Sequence, residues 1–197
     1  MNTQTLLSIV ADQREELLAN DYSELCPRPE ESQLDLKSNR AQVVIGVRRC
    51  GKSTLCEMFL KQKGIDFAYV NFDDDRMEDM KASDLDHLLE ALYMTYGEFK
   101  YLFLDEIQNI EGWPLFVNRL LRQKMHLFIT GSNSKLLSKE LSTHLTGRNN
   151  KVELYPFSYS EYCAMKNIDT TSLSTKAKGI RKSTLHEYLL QGGFPEL

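Results

Sequence analysis

From residue 41 onward, short apolar runs alternate along the chain with longer segments in which apolar residues recur every three or four positions. The runs predict buried strands at residues 42–45, 67–72, 101–104 and 127–129, and a fifth strand at 151–154. The longer segments between them have the spacing of amphipathic helices. This alternation predicts an α/β protein with a parallel sheet, and the nearly all-apolar strands predict helices on both of its faces.

Three helices are predicted between the strands. The first begins at Lys52 and has Gly64 as its stop, and the second begins near Leu85 and closes at Gly97. The third has Pro114 in its first turn, where the missing N–H of proline costs no hydrogen bond.

A further amphipathic helix is predicted near the N-terminus, with its apolar positions at Leu6, Ile9, Val10, Leu17 and Leu18. Residues 21–40, the lead-in segment, are polar and irregular, and Pro27 and Pro29 break any helix there. We expect the lead-in segment to pack on the outside of the main domain.

After the fifth strand the pattern changes. Ser158 and Glu161 have the spacing of a capping box for a short helix. Residues 169–183 are rich in Thr, Ser and Lys and predict a connector, and a last helix is predicted over residues 183–190 with Gly192 as its stop.

The composition is that of a globular protein, and the length is enough for one domain or for one domain with appendages. The 197 residues are 42% hydrophobic and 26% charged, and no apolar run approaches the length of a membrane span. The N-terminus lacks the layout of a signal peptide. We divide the chain into an N-terminal helix and lead-in at 1–40, a core at 41–156 and a small helical extension at 157–197.

Neither the four cysteines nor the four histidines have the spacing of a metal site. The cysteines predict free thiols and a cytoplasmic protein. The net charge of −4 gives no general electrostatic reason to bind nucleic acid.

One segment carries a phosphate-binding signature, G-x-x-x-x-G-K-[S/T]. Its residues, with the one that follows, are Gly46, Val47, Arg48, Arg49, Cys50, Gly51, Lys52, Ser53 and Thr54. The odds of a chance match in a chain this long are about one per cent. The placement between an apolar strand and an amphipathic helix favours a functional loop over a tight glycine turn with an accidental lysine.

Each residue type in this loop has a physical reason. We expect Gly46 to take a positive φ as the chain leaves the strand, and Gly51 to leave room for a phosphate against the backbone. Successive amides and the helix N-terminus attract the anion. Lys52 would reach the β- and γ-phosphates of ATP, and the Ser53 hydroxyl would ligate Mg²⁺.

An acidic pair follows the third strand. An acid at the end of an apolar strand lies near the metal in proteins with this loop, so Asp105 would hold Mg²⁺. Glu106 would polarise the attacking water as general base, which favours hydrolysis over phosphoryl transfer to a small substrate. The alternative is a pair that only caps the next helix.

Six motifs occur in order along the chain. They are Gly46 to Ser53, Leu104-Asp105-Glu106-Ile107-Gln108, Thr130-Gly131-Ser132 with Leu136-Leu137, Leu145-Thr146-Gly147-Arg148, Tyr155-Pro156-Phe157-Ser158 and Gly192-Gly193-Phe194-Pro195-Glu196. Together, over residues 40–197, the chain resembles the AAA-type P-loop ATPases of bacteria and archaea that carry a "DEIQ" acidic motif. The resemblance implies a three-layer α/β sandwich with a parallel five-stranded sheet of order 5-1-4-3-2.

The resemblance also implies further site residues. A sensor role falls within residues 130–133, where Ser132 is the first choice and Asn133 the second; either could bond the attacking water or the γ-phosphate, and the alternative is a helix cap. Arg148 could stabilise transition-state charge, in a neighbouring subunit of a homo-oligomer, or form a structural ion pair. Gln108 would orient water or bridge loops.

The expected function is Mg-dependent ATP binding and hydrolysis, coupled to an unidentified partner or C-terminal domain. ATP is favoured because no guanine-reading Asn-Lys-x-Asp motif is present. One alternative is a slowly hydrolysing switch or assembly module. Another is a DNA-associated ATPase, suggested by the basic cluster Lys176, Lys178, Arg181 and Lys182, although such runs are usually solvated. Members of the resembled family usually continue into a C-terminal domain, which suggests that this chain is truncated.

Overall fold

The structure is a computed structural model that describes residues 1–22, 25–132 and 145–195. The helices are α1 (Thr3–Ala19), α2 (Lys52–Gln62), α3 (Leu85–Tyr96), α4 (Trp113–Arg122), α5 (Tyr159–Met165) and α6 (Thr175–Gln191). The strands are β1 (Ala41–Gly46), β2 (Phe67–Asn71), β3 (Tyr101–Asp105), β4 (His126–Ser132) and β5 (Asn149–Leu154). Among the described helices, none is long and apolar enough to cross a bilayer.

The strands form one parallel sheet in the order β2-β3-β4-β1-β5. This is the predicted order 5-1-4-3-2 read from the other edge, so the fold prediction is confirmed. In β1, which lies between β4 and β5, Val44 is in register with both Thr130 and Val152. All the carboxyl ends therefore meet along one edge of the sheet.

Helices cover both faces because the strands are buried on both sides. All six residues of β1 are buried. Val43 and Ile45 pack with α1, α3 and α4, while Val44 packs with α2 and with Leu34 of the lead-in segment. This alternation follows from the period of two in a strand and produces the three layers.

Two predicted details are wrong. Leu18 is 68% exposed, because neighbouring helical positions point about 100° apart and Leu17 already faces the core. Helix α6 begins at Thr175 rather than near 183, because the Ser174 hydroxyl accepts a hydrogen bond from the Ala177 amide and the Lys, Ala and Arg residues that follow favour helix. The basic cluster thus lies on a helix and not on a connector.

The predicted capping box is confirmed at the start of α5. The Ser158 amide donates to Glu161 Oε2 at 2.8 Å, and the Glu161 amide donates to Ser158 Oγ at 3.3 Å. Helices α3 and α6 end before Gly97 and Gly192, as predicted.

Candidate nucleotide site

The phosphate-loop segment joins β1 to α2 at the carboxyl edge of the sheet. Positive φ angles occur at Arg49 (65°) and Gly51 (90°), but not at Gly46, so the reason predicted for that glycine is wrong. A Cβ on Gly46 would lie 2.2 Å from the carbonyl oxygen of Leu154 and 2.7 Å from the sulfur of Cys50. Gly46 is therefore required by the close approach of β5.

Lys52 begins α2 and lies across the loop. Its Nζ donates to the carbonyl of Val47 at 3.1 Å and lies 3.6 Å from Glu106 Oε1, with only 4% of the side chain exposed. Gly51, Ser53 and Thr54, at the start of α2, line the same space, where the helix dipole favours an anion. The ammonium group is thus held at the point where the loop, the helix N-terminus and the acid meet.

Asp105, at the end of β3, is the most enclosed acid of the site. Ser53 Oγ donates to Asp105 Oδ1 at 2.8 Å, Thr130 Oγ1 donates to the same oxygen, and the Tyr69 hydroxyl lies 3.4 Å from Oδ2. Burial raises the pKa of the Asp105 carboxyl to about 6, against the lowering effect of the Thr130 and Ser53 hydrogen bonds. A cation at this carboxylate would compensate the cost of burying its charge.

Glu106 has a left-handed backbone, with φ of 54°, which is uncommon outside glycine and is often associated with functional sites. Its amide donates to Thr130 Oγ1 at 3.1 Å, and its carboxylate accepts a hydrogen bond from the Gln108 side-chain amide. Thr130 thus orients both acids, while Gln108 and Lys52 hold the Glu106 carboxylate beside the loop.

Lys52, Ser53 and both acids line one cavity of about 350 Å³. Its lining residues are Arg48, Arg49, Gly51, Lys52, Ser53, Thr54, Asn71, Asp73, Asp105 and Glu106. Asp73 also lines the cavity and pairs with Arg48 at 3.4 Å, although both side chains are exposed. The cavity therefore brings together most of the predicted loop and both predicted acids.

The remaining predicted residues have different positions. Ser132 ends β4 in register with Gly46, so it lies at the same edge of the sheet. Cys50 is buried, and its thiol donates to the Leu154 carbonyl at 3.4 Å. Asn133, Leu136, Leu137, His144 and Glu196 lie outside the described residues.

Arg148 lies at the opposite edge of the sheet. It immediately precedes β5, whose six residues extend about 20 Å toward the phosphate loop. Its guanidinium donates to the Asn118 amide oxygen at 2.8 Å. Arg148 therefore cannot reach the cavity within its own chain.

Three residues of the site carried no individual assignment from sequence. Thr130 was within the predicted sensor range, but its bond to Asp105 depends on the pairing of β3 with β4. Tyr69 and Asn71 reach the site from β2, and their only sequence signal was their position near the end of a predicted strand.

The donor set fits Mg²⁺. A hydroxyl and a carboxylate oxygen meet at Ser53 and Asp105, and Mg²⁺ commonly takes one or two protein oxygens together with substrate phosphates and water. Within the described part of the chain, no group of three or more His, Cys, Asp or Glu side chains could hold a metal by itself. The ion would therefore depend on the nucleotide for part of its coordination.

The sheet order and the loop between β1 and α2 define the P-loop NTPase fold. Residues 38–163, more than half of the chain, match the family described as "AAA domain". The chain belongs to this family, and the predicted AAA-type P-loop class is confirmed. Family membership supports ATPase-type nucleotide binding.

Two curated relatives share this sequence region. An uncharacterised protein of Methanocaldococcus jannaschii is 40% identical over 167 residues, which are 84% of this chain and 38% of that protein. An uncharacterised protein of Haemophilus influenzae is 37% identical over 164 residues, covering 79% and 40%. The chain spans about two fifths of the length of these relatives.

Among solved structures, AMPPCP-bound DnaA from Aquifex aeolicus is similar with a TM-score of 0.47 and 16% identity, covering 83% of this chain and 59% of that one. PCH-2 from C. elegans is similar with a TM-score of 0.48 and 14% identity, covering 96% and 51%.

Proposed function

We propose that the chain binds ATP with Mg²⁺, hydrolyses it, and couples its nucleotide state to a partner or a further domain. The observation that carries this proposal is the convergence of Lys52, Ser53, Asp105 and Glu106 in one cavity. A cation, a hydroxyl, a buried carboxylate and a second, more accessible carboxylate are the set that phosphoryl chemistry requires.

Binding would rest on the loop backbone and on Lys52. The backbone N–H groups near the start of α2 would cradle the phosphates, and the ammonium would exchange its contacts with Val47 and Glu106 for the β- and γ-phosphates. Ser53 and Asp105 would hold the metal. When bound, Mg²⁺ supplies positive charge that neutralises the phosphate oxygens.

Glu106 would accept a proton from the attacking water. Thr130 and Gln108 support this assignment because they fix the Glu106 backbone and carboxylate. Ser132, at the neighbouring strand end, would hydrogen-bond the water or the γ-phosphate. We place this activity in the cytoplasm, because the four cysteines are free thiols, as a reducing compartment favours.

Phosphate release from Mg-ATP tests the proposal directly. We expect release that requires Mg²⁺, stops with excess EDTA and prefers ATP to GTP. ATP binding should be measured on the same sample. Binding without any release above the buffer rate would contradict hydrolysis and leave the slow nucleotide switch.

Arg148 supports a second, compatible proposal, in which the active form is a homo-oligomer. It lines a groove of about 620 Å³ together with Arg119 and Arg122, and this groove follows α4 from Gly112 to Arg122 and also includes Asp86. A positive groove there could meet the nucleotide of a neighbouring copy, where Arg148 would stabilise transition-state charge.

Sedimentation velocity with and without Mg-ATP checks this assembly. We expect nucleotide to shift the chain toward an oligomer and Arg148→Ala to weaken that shift and lower turnover. Arg40→Ala, at an exposed arginine that precedes β1 and lies outside the groove, tests whether any loss of positive charge has the same effect. A monomer under both conditions would contradict the proposal.

A further inference from the structure

Arg28 is a buried charge outside the residues assigned so far. It lies in the lead-in segment, just before the short 3-10 turn Pro29–Gln33, and it is only 8% exposed. Arginine is rarely buried to this extent unless its charge is paired. Its charge is therefore expected to have partners within the fold.

The guanidinium connects two chain segments through their carbonyls. Nη2 donates to the carbonyl of Tyr155 at 2.7 Å, and Nη1 donates to the carbonyl of Cys50 at 3.4 Å. The guanidinium carbon, Cζ, lies 4.6 Å from the centroid of the Phe157 ring. Arg28 thus joins the phosphate loop to the segment that leads from β5 into α5.

The remaining nitrogen lies between two acids. Nε is 2.8 Å from Glu161 Oε1 and 3.7 Å from Glu30 Oε2. The other Glu161 oxygen, Oε2, caps α5 by accepting the Ser158 amide. The pairing of Arg28 therefore depends on how α5 is placed.

The C-terminal segment also borders the phosphate loop. The Phe157 amide donates to the Gly193 carbonyl at 2.6 Å, and the Tyr188 hydroxyl on α6 donates to the Phe157 carbonyl at 2.8 Å. A Cβ on Gly51 would lie 3.7 Å from the ring of Pro195. The segment that follows α6 thus reaches the neighbourhood of the loop.

We propose that Arg28 is a positioning residue that sets the orientation of the Cys50–Gly51 peptide and links it to α5 and α6. In a trans peptide the C=O and the following N–H point in opposite directions. Because Arg28 holds the Cys50 carbonyl, the Gly51 N–H is directed the other way. This inference rests on the proposed nucleotide site, and it adds a route by which loop conformation reaches the C-terminal helices.

Arg28→Lys is the decisive variant, because lysine keeps the charge but lacks the planar fork that serves two carbonyls and an acid together. We expect the KM for ATP to rise about tenfold, as for the loss of one charge-assisted hydrogen bond, with a smaller change in kcat. Without nucleotide, amide hydrogen exchange should become faster in residues 47–53 and 157–161 relative to β3.

Arg14→Lys is the matched control. Arg14 also donates to a backbone carbonyl, that of Thr95 at 2.7 Å, and stacks on an aromatic ring, that of Tyr96, but it is on α1. Arg14→Lys should leave the KM for ATP and the exchange in residues 47–53 and 157–161 unchanged. If Arg28→Lys does not fold, Glu161→Gln is measured in its place. Amide exchange in residues 47–53 and 157–161 should again become faster, but by a smaller factor.

Unchanged exchange in residues 47–53, or acceleration spread evenly over the chain, would overturn the positioning role. If the wild type binds no ATP but exchange in residues 47–53 is still faster in Arg28→Lys, the result would contradict the proposed function. It would still support the link between Arg28 and the loop. The exchange measurement therefore separates failure of the positioning role from failure of the proposed function.

Discussion

Glu106→Gln is expected to lower ATP turnover by about 10²–10⁴-fold while ATP binding persists, because the amide keeps the shape of the side chain but cannot accept a proton from water. The backbone contact from the Glu106 amide to Thr130 does not involve the substituted group. Lys52 also loses a negative neighbour at 3.6 Å, so affinity for the phosphates should be equal or higher.

Turnover is measured as phosphate release and affinity by titration calorimetry with Mg-ATP. Glu111→Gln is the matched control, since it makes the same charge change at an exposed position five residues away and should leave both quantities unchanged. If Glu106→Gln and wild type released phosphate at comparable rates, Glu106 would not be the general base.

Lys52→Ala is expected to weaken ATP binding by about 10²-fold, because it removes charge-assisted hydrogen bonds to the phosphates. The effect should not be a folding defect. The ammonium is buried and contacts the Val47 carbonyl and Glu106, both beside the cavity rather than in the apolar core. The variant should therefore remain folded but lose the increase in melting temperature that bound ATP produces.

Lys63→Ala removes a lysine that is exposed just after the same helix, and it should bind ATP as wild type does. The measurements are calorimetric titration and thermal unfolding with and without Mg-ATP. An unchanged affinity in Lys52→Ala would show that the loop does not bind phosphate as proposed.

Local patterns were enough to predict the order of elements. Each strand is a short apolar run, and α2 and α3 have regular apolar spacing and recognisable ends. The position of the cavity could also be predicted from the sequence. Residues 46–53 and the pair Asp105-Glu106 both lie at the carboxyl ends of strands in a parallel sheet. The sheet order itself came from the resemblance and not from periodicity.

Contacts between distant segments could not be predicted in this way. Arg28 meets Cys50 and Tyr155, which are 22 and 127 positions away, and nothing in the lead-in segment indicates such partners. The wrong explanation for Gly46 has the same origin. The constraint on it comes from the Leu154 carbonyl on β5, whereas the prediction considered only the turn.

By itself, the sequence identified the candidate residues of the proposed nucleotide site, because a phosphate loop and its acids are recognised from residue types at short spacing along one chain. Tertiary structure alone decided which further groups support them. Thr130 orients Asp105 and Glu106 because β3 and β4 are neighbours, and Arg148 lies about 20 Å from the loop because it enters β5 at the other end. Which strands are neighbours in the sheet is a long-range property, and hydrophobic spacing does not encode it.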